Sequence, residues 1–142
     1  MKVCVRDEAS TGLSPVFRKI ARHCLAELGL DDKEISVLLT DNAGIRDLNR
    51  RFRRIDKATD VLSFPMGDDV LIGDVAISVE KALEQAGEFR VTPDDELSRL
   101  FIHGLLHLLG YDHVKGGTQA KRMKAMEEKL LRGWKDAVKP KR

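Results

Sequence analysis

The feature that most constrains this fold is a segment, Leu100 to Leu109, that is almost wholly apolar when written as a helix. A helix that is apolar all round is expected to lie inside a protein, because every face needs a packing partner. Two histidines, His103 and His107, interrupt the segment four residues apart and therefore share one helix face. A buried imidazole without a partner costs about 1–3 kcal/mol, so both side chains are expected to have one.

A third histidine follows at a spacing that suits a metal ion. Gly110 is the residue type that most easily adopts the left-handed conformation that ends a helix and reverses the chain. This reversal can bring His113 against His103 and His107. Three imidazole ligands with an open fourth position are typical of a catalytic zinc site, whereas a closed structural site needs a fourth ligand, usually cysteine. Both cysteines lie within the first 24 residues, so the sequence predicts an open zinc site.

The same histidine spacing occurs in the metzincin zinc peptidases. In those enzymes a glutamate follows the first histidine and serves as the general base, whereas this chain has Gly104 at that position. A zinc-dependent hydrolase of another substrate class, such as a peptidase, remains an alternative. The glutamate that would serve as its general base is absent from this chain.

Hydrophobic periodicity predicts an α+β fold in which a small mixed sheet of about four strands packs with about five helices. The zinc site is expected on a central helix and the turn that follows it. Helix caps are predicted at Ser14, Asp41, Ser78 and Thr92, and the helix after Asp41 is expected to bury Leu48 and Phe52, as well as Ile45. One domain is expected over residues 1–138, followed by a basic tail at 139–142.

Composition narrows the class of protein further. The 142 residues include 42% hydrophobic and 34% charged residues, which is typical of a globular protein. The beginning of the chain lacks the apolar core of a signal peptide, and no apolar run is long enough for a bilayer. A cytoplasmic protein with no membrane partner is expected. Its net charge is only +2, so any nucleic-acid binding needs a local basic patch.

A candidate patch lies at residues 46–57, which contain five arginines and a lysine: Arg46, Arg50, Arg51, Arg53, Arg54 and Lys57. Basic residues near the end of a helix are often a solvated face that suits the helix dipole. Clustered guanidinium groups also suit the oxygens of phosphate. For Arg46, Arg50 and Arg51 both interpretations stay open.

Three sequence segments indicate a known family more specifically together than each does alone. The first runs from Asn49 through Phe52-Arg53 and Asp56 to Thr59-Asp60-Val-Leu-Ser-Phe-Pro65, the second is Gly73-Asp74-Val-Ala-Ile-Ser78, and the third is His103-Gly-Leu-Leu-His-Leu-Leu-Gly-Tyr-Asp-His113. This ordered set, spanning about residues 45–128, resembles the signature of the YbeY family of bacterial endoribonucleases. The chain departs from the family pattern at Arg54, where glycine is common.

The resemblance implies a single-strand-specific, metal-dependent endoribonuclease that matures the 3′ end of the small-subunit 16S rRNA and acts in ribosome quality control. It implies one Zn²⁺ per chain, held by His103, His107 and His113, with Arg53 as the functional arginine of the cleft; these four residues are the catalytic candidates. Single-stranded RNA or rRNA and the small ribosomal subunit with its associated factors are the implied partners. A second alternative is a ribosome-associated RNA-binding factor whose zinc is mainly structural.

Three aspartates are further candidates for orienting the imidazoles or transferring protons, namely Asp60, Asp74 and Asp112. Arg53 is expected to neutralise charge that develops on the phosphate. The nucleophile stays open between the ribose 2′-OH, which is already part of the substrate, and water.

Overall fold

A four-stranded sheet organises the molecule. The computed structural model describes residues 2–111 and 117–139. Its strands are β1 (Lys2–Asp7), β2 (Glu34–Thr40), β3 (Val61–Pro65) and β4 (Leu71–Ser78). Its helices are α1 (Ser14–Glu27), α2 (Asn42–Arg53), α3 (Val79–Phe89), α4 (Pro93–Leu108) and α5 (Gly117–Val138). The sheet order is β1-β2-β4-β3, with β1, β2 and β4 parallel and β3 antiparallel to β4. The predicted α+β fold with a small mixed sheet is confirmed.

Three of the four predicted helix caps are confirmed by local hydrogen bonds. The prediction for Ser14 was wrong, because Leu13 is the N-cap of α1 and its carbonyl oxygen accepts the hydrogen bond from the backbone N–H of Phe17. The Asp41 carboxylate accepts a hydrogen bond from the backbone N–H of Gly44, and the Ser78 hydroxyl accepts one from that of Lys81. The Thr92 hydroxyl does the same for α4, which begins with a proline. Each cap satisfies one of the backbone donors that the first turn of a helix leaves without a partner.

Helix α4 lies in the main core, as its apolar sequence predicts. Leu100, Phe101, Ile102, Leu105 and Leu106 are each at most 1% exposed. They belong to one cluster with the inward side chains of β1, β2 and β4 and with buried residues of α1 and α5. The helix therefore holds its histidines on a rigid element between the sheet and α5.

Helix α2 covers the opposite face of the sheet, where Ile45 is buried and Leu48 half-buried. The prediction that Phe52 is buried was wrong, since this residue is 62% exposed. Phe52 lies in the last turn of α2 and lines a groove on this face of the sheet, so its ring is not enclosed. Its ring packs in a T-shaped arrangement with the Phe64 ring, with the centroids 5.6 Å apart, and Arg51 lies over it.

A bulge in β4 brings the β3–β4 hairpin close to the end of α4. The pairing of β4 with β2 shifts register between Leu71 and Asp74, and Gly73 there has a φ of +154°. A Cβ at Gly73 would lie 2.9 Å from Cδ2 of Leu108. The predicted bulge at this glycine is confirmed, and it permits the close approach. No helix within residues 2–111 and 117–139 has the length and apolar character needed to span a membrane.

Candidate functional site

The two histidines of α4 lie together, as their spacing predicts. Nε2 of His103 and Nε2 of His107 are 3.1 Å apart, and their ring centroids are separated by 4.7 Å. Both side chains are partly buried and line a cleft of about 610 Å³. The third predicted ligand, His113, lies outside the described residues, so its place in the site stays a prediction.

Glu127 of α5 contacts the ring nitrogen of His103 that does not face His107. Its carboxylate oxygen Oε1 contacts Nδ1 of His103, and the Glu127 side chain is 18% exposed. When Nδ1 carries the proton and donates a hydrogen bond to this carboxylate, Nε2 is the deprotonated ring nitrogen, whose lone pair can bind a metal ion. A carboxylate behind a histidine is the usual arrangement for fixing the tautomer and orientation of a metal ligand.

The chemistry of these donors fits a zinc ion. At zinc–nitrogen distances of 2.0–2.1 Å, two ligands of a tetrahedral site lie about 3.3 Å apart. The observed separation of 3.1 Å between the Nε2 atoms is close to this value. No cluster of three or more potential metal ligands of the His, Cys, Asp and Glu types occurs among residues 2–111 and 117–139. The predicted third ligand, His113, is not among these described residues.

Packing explains why glycine occupies the position of the peptidase glutamate. Gly104 faces the sheet, and a Cβ there would lie 2.7 Å from Cγ1 of Val75 and 3.1 Å from Cγ2 of Val61. Its carbonyl oxygen accepts a hydrogen bond from Ser63 Oγ at 2.9 Å. The close contact between α4 and the sheet leaves no space for a side chain. A glutamate base after the first histidine is thus incompatible with this packing.

Arg53 lines the same cleft from its opposite wall. Its Nη2 atom donates a hydrogen bond to the carbonyl oxygen of Ser63 at 2.8 Å, which fixes the side chain against β3. In the described ranges no carboxylate lies within 4.0 Å of its guanidinium nitrogens. The positive charge of Arg53 is therefore free to meet an anion that enters the cleft.

The other three arginines of α2 are paired with aspartates. Arg46 pairs with Asp56 at 2.7 Å, while Arg50 and Arg51 both pair with Asp47, at 2.7 and 3.5 Å. The hydrogen bond and charge of Arg46 lower the pKa of Asp56. These exposed pairs support the interpretation of Arg46, Arg50 and Arg51 as a solvated face.

Arg54 ends α2 in the left-handed conformation, with a φ of 58° and a ψ of 31°. Its backbone N–H bonds to the carbonyl oxygen of Arg50, so the turn forms in spite of the side chain. Glycine adopts this conformation without steric cost, which explains why it suits this position.

The three candidate aspartates have different positions. Asp60 lines the cleft and accepts hydrogen bonds from the backbone of Val61 at 2.7 Å and from Gln85 at 3.2 Å. Asp74 lies on the other face of the sheet, because it neighbours the inward-facing Val75 in the same strand. It therefore cannot orient the imidazoles directly. Asp112 lies outside the described residues.

The structure adds an ion pair that sequence reasoning did not single out. Glu96 is only 1% exposed, and its carboxylate accepts two hydrogen bonds from Arg99, at 2.9 and 2.8 Å. These bonds raise the pKa of the Arg99 guanidinium. Arg99 stands one turn before His103 and also lines the cleft, so the wall beside the histidines carries an ion pair that fixes the arginine.

Glu127 was also missed, although its position carried a signal. It stands in line with three residues of α5 that are buried at helical spacing, namely Met123, Leu130 and Trp134. A carboxylate within such a stripe needs a partner, because an unpaired buried charge is costly. The partner is His103, which is 24 positions away in the sequence.

The cleft therefore combines a pair of imidazoles with an arginine that has no carboxylate partner among the described residues, on a rigid α+β scaffold, which suits a metal-assisted hydrolase of an anionic substrate. Comparison with known proteins gives the family. Residues 5–135 match the family model described as endoribonuclease YbeY. The chain belongs to this endoribonuclease family.

Individual relatives agree with this assignment. An endoribonuclease YbeY of Aquifex aeolicus is 46% identical over 119 residues, which cover 81% of this chain and 79% of the relative. One from Clostridium botulinum is 39% identical over 149 aligned positions, covering 87% and 89%. A solution structure of a Thermotoga maritima protein has a TM-score of 0.68 at 27% identity, covering 97% of this chain and 94% of the other.

Proposed function

We propose that this chain is a single-strand-specific endoribonuclease that depends on one Zn²⁺ held by His103, His107 and His113. The observation that carries the proposal is the paired imidazoles, 3.1 Å apart at Nε2, in one cleft with an arginine that has no carboxylate partner among the described residues. The membership of a nuclease family supports RNA as the substrate.

The protein side chains have separate tasks in this proposal. When bound, zinc supplies Lewis acidity, which polarises a phosphoryl oxygen and acidifies water. Glu127 holds His103 in the tautomer that directs Nε2 towards the cleft. Arg53 binds a non-bridging phosphate oxygen and stabilises the negative charge that develops there during cleavage. Because the 2′-OH of the ribose can act as an internal nucleophile, RNA cleavage does not require the glutamate that Gly104 excludes.

The proposed biological substrate is the small-subunit 16S rRNA, at its 3′ end, with a role in ribosome quality control. The family resemblance supports this role, and it implies contact with the small ribosomal subunit and its associated factors. The net charge of +2 favours a substrate that is captured by the local arginines and by such partners, since bulk attraction is weak. The cytoplasmic location inferred from the sequence stays a prediction.

The proposal is tested with defined single-stranded RNA and three variants. His107→Ala should lose both zinc and cleavage. Arg53→Ala should keep zinc and the fold but cleave about 100-fold more slowly, because removing one preorganised donor to a developing oxyanion costs this much. Arg50→Ala is the matched control, since Arg50 is on the same helix but is paired with Asp47.

Two results would contradict the proposal. The first is undiminished cleavage by wild-type protein after zinc has been stripped. The second is cleavage by Arg53→Ala at the rate of Arg50→Ala. A protein that binds RNA and needs zinc to fold, but never cleaves RNA, would favour the alternative of a ribosome-associated binding factor. Protease activity on unfolded protein would favour the peptidase alternative.

A further inference from the structure

The exposed Phe52 forms part of a groove on the face of the sheet that carries α2. This aromatic groove has a volume of about 360 Å³, and its apolar lining includes Phe52, Phe64, Met66, Leu38 and Leu48. Phe52 and Met66 are 62% and 53% exposed. Exposed large apolar side chains that cluster in this way usually mark a binding surface.

The aromatic groove lies next to the catalytic cleft, on the other side of strand β3. Successive side chains of a strand point to opposite faces, so Ser63 faces α4 while Phe64 faces the groove. Because β3 is an edge strand, no further strand separates the two faces there. Arg53 links them: it lines the cleft, binds the Ser63 carbonyl, and holds its guanidinium carbon 5.7 Å from the centre of the Phe64 ring.

The charges around the groove indicate the chemistry of its ligand. Arg51 and Arg53 each lie over one of the aromatic rings, at 5.5 Å from Phe52 and 5.7 Å from Phe64. Neither lines the groove itself: Arg53 lines the adjoining cleft, and Arg51 is also paired with Asp47 at 3.5 Å. The lining of the groove includes one acidic residue, Asp74, and one basic residue, Arg6, which is paired with Glu8, so the described lining has no unpaired cation for a phosphate and suits an uncharged, planar group. A protein partner needs a much larger apolar area than this groove offers.

A nucleobase next to a phosphate matches this pattern. Aromatic rings bordered by arginines form the usual platform for single-stranded nucleic acid, since every base has a face that can stack. We propose that the aromatic groove binds one unpaired base of the RNA strand against Phe52, while Arg53 binds a phosphate between that base and the cleavage position. The inference rests on the proposed function and adds a subsite to it. Only an unpaired base can leave its neighbours and enter the groove, so the subsite also selects single strands.

The test compares cleavage of short single-stranded RNAs by zinc-loaded wild type, Phe52→Leu and Phe52→Tyr. Phe52→Leu should lower kcat/KM by roughly 5- to 160-fold, mainly through KM, because stacking of one base on an aromatic ring contributes this much. Phe52→Tyr keeps the ring and should remain near the wild-type value. The matched control is Leu83→Ala, because Leu83 is 50% exposed and lines neither the groove nor the cleft.

A second measurement locates the base. Substrates that each carry one abasic sugar are tested in turn, and one position should lower kcat/KM for wild type by the same factor as the Phe52→Leu substitution. With that substrate, Phe52→Leu and wild type should be equal, since the stacking partner is already absent. If wild type cleaves RNA but no abasic position shows this dependence on Phe52, the subsite is refuted and the nuclease function stands. If wild type neither binds nor cleaves any RNA, both are refuted.

Discussion

The packing at Gly104 predicts that adding a single methyl group there destabilises the protein. In an ordinary helix, Gly→Ala increases stability by about 1 kcal/mol, because alanine has the higher helix propensity. At Gly104 the new Cβ would lie 2.7 Å from Cγ1 of Val75, whereas carbon atoms pack best at about 3.5–4.0 Å. Val61 Cγ2 at 3.1 Å and Ser63 Oγ at 3.2 Å crowd the same position.

These neighbours cannot move easily. Val75 is fully buried, and the Ser63 hydroxyl is held by its bond to the Gly104 carbonyl. Overpacking a core in this way costs about 1–3 kcal/mol. After subtracting the gain in helix propensity of about 1 kcal/mol, we expect Gly104→Ala to lower the free energy of unfolding by up to about 2 kcal/mol. For a domain of this size the melting temperature should fall by up to roughly 8 °C.

The measurement is urea unfolding of Gly104→Ala beside Gly87→Ala. Gly87 is also within a helix, but a Cβ there would meet nothing within 4 Å, so this control should gain stability. Combining Gly104→Ala with Val75→Ala should cost at least about 1 kcal/mol less than the sum of the two single changes, because Val75→Ala removes the closest contact. If Gly104→Ala stabilises the protein as much as Gly87→Ala does, the explanation for the missing glutamate is refuted.

Three further predictions follow from other positions. Arg54→Gly should raise the free energy of unfolding by about 0.5 kcal/mol in urea, because relief of a left-handed backbone, about 1–2 kcal/mol, exceeds the greater flexibility of the unfolded chain. Glu127→Gln should weaken zinc binding by about 10- to 100-fold in competition with a chelator, because the carboxylate that orients His103 is lost. Burial, together with the charge of Glu27, raises the pKa of the Cys24 thiol from 9.0 to about 12. The buried, protonated thiol therefore contributes fully to the stability of the fold below pH 9.0, and this contribution declines as the pH rises towards 12. An alkylating reagent should therefore modify exposed Cys4 in the native protein and Cys24 only after unfolding.

Each of these predictions has a clear contrary result. A gain from Arg54→Ala equal to that from Arg54→Gly would show that the backbone conformation is not the cause. Unchanged zinc affinity in Glu127→Gln would remove its role in orienting the imidazole. Rapid alkylation of Cys24 in native Cys4→Ser protein would contradict its burial.

Local patterns predicted the parts of the structure that depend on neighbouring residues. The caps at Asp41, Ser78 and Thr92 and the shared helix face of His103 and His107 were all found, because each depends on a spacing of three or four residues. The burial of α4 followed from its apolar surface.

Contacts between distant segments were harder to predict. The role of Glu127 depends on how α5 packs against α4, and no local spacing contains that information. The exposure of Phe52 depends on where the last turn of α2 lies on the face of the sheet. The face on which Asp74 lies could have been inferred, since a strand alternates its sides and the neighbouring Val75 is apolar.

The contact between His103 and Glu127 also links the docking of α5 against α4 to the binding of a metal ion at His103. A ligand that binds only when α5 is docked stabilises the docked state by an amount that grows with ligand concentration. A metal ion held by the oriented His103 would thus fasten α5 to α4, and by reciprocity any event that loosens α5 would lower the affinity for the metal. A binding partner that contacts only α5 could therefore change the affinity of the cleft for the metal, and with it the chemistry of the cleft, without entering the cleft.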